Sequence, residues 1–175
     1  MIIKDNTNSN LSVRLNSAMK KFEYGTIFYR LDAGDVAHID KFSLIPEKDT
    51  LITHDAIIKL PNYFSFKKFK GFYRQLLKNE LVHSSFIFQK LSYEAKLDLA
   101  QDYHLSLNKI IESKHYHINK LLVKKDMTVA GNTINNKDKS IKCVIMAKNL
   151  LLGNGILGLS VVLDYIKLTW LKLRI

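Results

Sequence analysis

The chain carries one cysteine, Cys143, among 175 residues. It can form no disulfide within itself and no cysteine-based zinc site, and a reducing compartment is the simplest setting. Long apolar runs are also missing. The longest uncharged one, 149–163, spans 15 residues, holds Asn149, Asn154 and three glycines, and stops at Asp164. A membrane-spanning helix needs about 20, so a buried segment is favoured over an anchor and a membrane partner is not expected. The opening MIIKDNTNSN lacks a basic and then apolar order, which predicts no secretory signal and a cytoplasmic protein, found with the nucleoid or, in a eukaryote, the nucleus. No G-x-S-x-G, Walker loop or H-E-x-x-H is present, so no catalytic role is expected.

Acidic residues are scarce. Lys and Arg number 27 against 16 Asp and Glu, for a net charge of +11 and a pI near 9.6. Such an excess points to an anionic partner, and to nucleic acid ahead of lipid. The apolar fraction of 47% is enough for a packed core.

Three candidate sites weigh little on inspection. Gly153-Asn-Gly155-Ile-Leu-Gly158 is a literal G-x-G-x-x-G, but a dinucleotide site needs a second strand bearing an acid about 20 residues on. Only 17 residues follow Gly158, so no cofactor is expected. His115 and His117 would point apart on a helix and share a face in a strand. Without a third ligand, no metal is expected either. Asp32, Asp35, Asp40, Glu47, Asp49 and Asp55 lie in turn-like sequence without ligand spacing.

Local patterns predict the elements. Leu11, Leu15, Ala18, Met19 and Phe22 have helical spacing and suggest a helix ending before Gly25. Thr26–Leu31 is β-branched and aromatic and reads as a strand, followed by a turn at Asp32–Asp35. Residues 36–58 are ambiguous, with a loop near Pro46. Ser84–Leu91 reads as a strand. Ser92 to about Lys125 favours helix, with Leu97, Ala100, Leu107, Ile110 and Ile111 on one face and a break near His115.

The most informative stretch is Leu60–Leu76, LPNYFSFKKFKGFYRQL. Lys67, Lys70, Arg74 and Lys78 recur at steps of three and four, which makes them one stripe of a helix. Phe69, Phe72, Tyr73, Leu76 and Leu77 make the opposite stripe. Acidic i,i+4 partners, which wet helical faces commonly carry, are almost absent.

Leu60, Pro61, Tyr63, Phe64, Phe69, Phe72, Arg74, Gln75 and Leu76 resemble the recognition-helix region of heat shock factor DNA-binding domains. The resemblance implies a winged helix-turn-helix with Arg74 reading a base in the major groove. It covers residues 60–76 only. Leu77-Lys78-Asn79-Glu80-Leu81 departs from that family's continuation, and the single Trp is Trp170. It therefore supports a winged helix rather than a heat-shock regulator.

These readings combine into a mainly α protein with a small β component: a winged helix-turn-helix module plus additional helices. Residues 1–10 are a loose tail, 11–91 the nucleic-acid-binding module and 92–125 a helical segment. Residues 126–140 are a linker. Residues 141–175 are an apolar element for packing, homodimerisation or a protein partner. The expected function is DNA binding and transcriptional regulation, with duplex DNA favoured over RNA. Lys67, Lys68, Lys70, Arg74, Gln75 and Lys78 are the expected contacts. Two rivals stand beside it. One is an antitoxin or phage-defence component, since Gly25–Phe28 after a first helix is similar to abortive-infection winged helices. The other is a membrane-associated or structural protein anchored by 149–175.

Overall fold

A computed structural model describes residues 11–59, 66–69, 82–89, 91–97, 99–126, 137–150, 166 and 169. Helix α1 covers Leu11–Lys20 and strand β1 covers Ile27–Tyr29. Both follow from the local patterning. The turn at Asp32–Asp35 also forms: the amide of Asp35 donates to the Asp32 carbonyl at 3.1 Å, with Gly34 at φ +87°. Strand β2 is Val36–Ala37, and a 3₁₀ turn follows at Ile39–Ser43.

Strand β3, Leu51–Lys59, is the centre of the molecule. It pairs in parallel with β6, His115–Asp126. On its other edge its start meets β5, Ile87–Gln89, and its end meets β4, Phe66–Phe69, both antiparallel. The full order is β1-β5-β3-β6-β2, with β4 joined to β3. Helix α2, Gln101–Ile111, lies between β5 and β6 in the chain, and α3 covers Lys137–Asn149.

This mixed sheet overturns the mainly α expectation and the winged helix with it. Among the described residues, strands take about as many positions as α-helices. The physical reason lies in β3 and β6. The sequence LITHDAIIK is buried along nearly its whole length, so it shows no alternation of apolar and polar residues. Strands inside parallel sheets commonly hide that signal. β6 was expected to be helical, yet its backbone groups complete the ladder of β3. Tertiary pairing overrides weak local preference there. The strand read at Ser84–Leu91, which as the strand after the basic helix would be the wing of such a module, is not one. β5 is an interior strand, with Phe88 opposite Phe28 on one side and Leu51 on the other.

The predicted basic helix fails at its start. Lys67 and Lys68 lie in β4, paired with Ile58 and Ile57. β5 reaches only Leu51 and Ile52, and Phe66–Phe69 takes up the edge of β3 beyond it. Lys70, Arg74, Gln75 and Lys78 lie outside the described residues, as do 127–136 of the expected linker and Gly153–Gly158. The linker's last residues, 137–140, begin α3.

The core has several parts. Met19, Leu51, Phe86, Phe88, Leu91, Tyr93 and Leu105 form one cluster beneath α1. Asn16 fixes α1 there: its amide donates to the Tyr93 carbonyl, and its oxygen accepts from the Tyr93 amide, both at 2.8 Å. Leu97, Tyr103 and Leu107 pack with Val144 and Ala147, which docks α3 on α2. Ala56, Ile58, Val82 and Val123 fill the centre of the sheet. Among the described residues no helix is long and apolar enough to cross a membrane.

Candidate functional site

Folding sorts the charges. The side chains of Asp35 and Asp102 are 1% and 2% exposed, and Asp55 is buried too. Asp102 pairs with Arg30, whose guanidinium also approaches Asp32 at 3.7 Å and the Tyr93 hydroxyl at 3.3 Å. Burial works against the Arg30 charge, but Asp102, Tyr93 and Asp32 hold its pKa above the ordinary value. Asp32 and Asp35 receive Lys125 at 2.8 and 3.4 Å. Lys41 is fully buried and donates to the carbonyls of Arg30 and Ser84, each at 2.5 Å. Burial pulls its pKa down to about 8, against the opposing pull of Asp35 and Asp32.

What remains outside is basic. Among the described residues, Arg14, Lys20, Lys21, Lys48, Lys96, Lys114, Lys120, Lys124 and Lys142 are exposed, against Glu23, Glu47, Glu112 and the carboxylates of Asp40 and Asp49. Some of these cations have partners, Lys120 with Asp40 and Lys114 with Asp49 at 3.9 Å. Each such pair sums to no net charge, but the exposed cations still outnumber the exposed carboxylates.

The sheet register arranges part of that charge. Ile57 is opposite Lys68 on β4 and Lys124 on β6, and Lys124 is opposite Val36 on β2. Paired residues share a face of a sheet. In this row Ile57 is half-buried while Lys124 and Val36 are exposed, so its β6–β2 end opens to solvent. In the next row Lys67 is opposite Ile58, which is buried, and Ile58 is opposite Lys125, which turns in to Asp32 and Asp35. Two expected contact residues, Lys67 and Lys68, thus occupy neighbouring rows of a sheet.

A second feature was missed by sequence reasoning. Thr53 Oγ1 lies 2.9 Å from His115 Nε2 and 2.9 Å from His117 Nδ1, and His117 Nε2 lies 3.1 Å from Asp55 Oδ1. With both rings neutral, the protons have one arrangement. Asp55 can only accept, so His117 carries its proton on Nε2 and accepts at Nδ1 from the Thr53 hydroxyl. Thr53 then accepts from His115 Nε2–H. A histidine between a carboxylate and a hydroxyl is also the geometry of nucleophilic catalysis. Here, however, Thr53 is 0% exposed, which closes its oxygen to a substrate. Among the described residues no group of three His, Cys, Asp or Glu is arranged to hold a metal. The chain of bonds fastens β3 to β6 beside the register shifts at His54–Ala56. His-x-His sharing a strand face was the available clue, but the segment's helical reading concealed it.

That role gives a direct test. Thr53→Val keeps the shape and removes the hydroxyl, leaving a buried donor and acceptor unmet. It is expected to cost about 1–3 kcal/mol, while Thr53→Ser costs less. Denaturant unfolding of both variants checks it, and a Val variant as stable as wild type would rule out the lock.

Comparison with protein families, with curated proteins and with solved structures finds no match to this chain.

Proposed function

We propose that the protein binds nucleic acid through its exposed cations. The observation that supports this most is the sorting of charge: among the described residues Asp35, Asp55 and Asp102 are drawn inward, and nine exposed cations face five exposed carboxylates. A ligand that presents a regular line of phosphates satisfies such a surface without demanding a deep pocket. The row of Lys68 and Lys124 across β3 is the proposed phosphate track.

The test is a titration of labelled DNA across a range of salt. The logarithm of the affinity should fall linearly with the logarithm of salt, by about 0.9 per duplex phosphate neutralised and about 0.7 per single-strand phosphate. Lys124→Ala should flatten the slope by about one unit, and Lys68→Ala with Lys124→Ala by about two. Affinity that ignores salt, or equal binding to anionic vesicles and nucleic acid, would sink the proposal.

A further inference from the structure

Tyr24 is the most exposed aromatic among the described residues, at 69%. It stands on a pinned turn. The amides of Lys21 and Phe22 donate to Ala18 and Met19 as α1 ends, and Thr26 donates to Glu23 at 3.3 Å to close the turn Glu23–Thr26. Gly25 takes φ +92°, and its carbonyl accepts from the Gln89 side chain at 3.1 Å. Phe22 anchors the segment. Its ring meets Phe28 edge-on at 5.5 Å, and Phe28 stacks on buried Phe88 at 5.8 Å. Turn centres favour Gly, Pro, Asn, Asp and Ser, so the turn itself does not call for a tyrosine at its tip. The ring is displayed outward on a backbone that is already ordered.

Its surroundings are cationic. Lys48 Nζ sits 5.4 Å from the ring centroid, and its bond to the Tyr24 hydroxyl raises its pKa. Lys20 and Lys21 are exposed where α1 ends, and Arg14 is exposed nearer its start. The acids beside them are Glu23, Glu47 and Asp49, the last of which also acts on Lys48.

We infer that Tyr24 is a stacking platform for one unpaired base, with Lys48, Lys20 and Lys21 taking the flanking phosphates, so that single-stranded nucleic acid is the preferred ligand. The inference rests on the nucleic-acid reading above and narrows it. A base paired and stacked in a duplex has no free face to lay on the ring, while every unpaired base has one. The Lys48 amine sits over one face of the ring, so an incoming base takes the other face or displaces the amine, which stays within a side chain's reach of the base's phosphate.

The experiment compares a labelled oligothymidine with a duplex of the same length, at one salt concentration, using the full chain. Tyr24→Ala is expected to weaken single-strand binding roughly tenfold, within the range for losing one base–aromatic stack. Duplex binding should stay within about twofold, and Tyr24→Phe should restore the single-strand affinity. Unchanged melting temperatures exclude loss of fold. Equal single-strand affinity for wild type and Tyr24→Ala, or equal losses on both ligands, overturns the stacking site while leaving nucleic-acid binding in place. Wild-type protein that binds neither ligand overturns the broader reading and this one together.

Discussion

Asp102→Ala is expected to lower the unfolding free energy by about 3–5 kcal/mol, the cost of leaving a buried charge without its partner. Arg30 follows β1, at the edge of the sheet, and its guanidinium reaches Asp102 in the first turn of α2. The Tyr93 ring lies 5.9 Å from the guanidinium carbon. Three parts of the molecule therefore depend on one carboxylate. Domains of this size have only about 5–15 kcal/mol of stability in all, so the loss should move the denaturant midpoint far while leaving the slope unchanged. Arg30→Met combined with Asp102→Leu should recover most of it, because an apolar pair of similar volume needs no compensating charge. A single Asp102→Ala variant within about 1 kcal/mol of wild type, the range of a surface pair, would mean that water already screens Arg30.

Acid is the second strong effect. His54 is 1% exposed; its Nδ1 donates to the Asp55 carbonyl at 2.8 Å, and its Nε2 has no partner. Burial pushes its pKa down to about 4, against the pull of the Asp55 carbonyl and with Lys41 and His117 adding to the depression. Burial, and then His117, do the same to His115, also to about 4, and burial lowers His104. In the unfolded chain these rings take up protons near 6.5. Between about pH 6.5 and 4 the unfolded chain therefore holds more protons than the folded one, and stability falls as pH falls through that window. The contribution is fully present above about 6.5. For His54 it amounts to about 3 kcal/mol, and for the less enclosed His115 to less. Urea unfolding at pH 7.5 and 4.5 should show wild type losing more stability than His54→Leu, which has no ring to charge. Parallel pH profiles for the two proteins would remove His54 from the acid response.

The features that could be read along the chain are those whose cause is local. Helix α1 shows its apolar spacing, β1 its β-branched and aromatic residues, and Asp32–Asp35 its turn chemistry. Each is decided within a few residues, so neighbours in sequence suffice. The excess of positive charge is likewise a property of composition alone.

The sheet was decided elsewhere. β3 and β6 are far apart in sequence and pair in parallel, and β3 shows no alternation because both of its faces are covered from Leu51 to Ala56. Leu121-Leu122-Val123-Lys124-Lys125 carries helix formers and strand formers together, and only the ladder offered by β3 settles the choice. Lys67 and Lys68 moved from an expected helix to β4 for the same reason.

The polar groups follow the sheet. Thr53, Asp55, His115 and His117 are an ordinary scatter in sequence; the register brings their side chains within hydrogen-bond distance. Composition set the net charge of +11, but not where it lies. The tertiary fold draws Asp35, Asp55 and Asp102 inward to meet buried donors and leaves most of the cations outside. A carboxylate can be buried only where a partner is already in place, and no stretch of sequence holds both halves of those pairs.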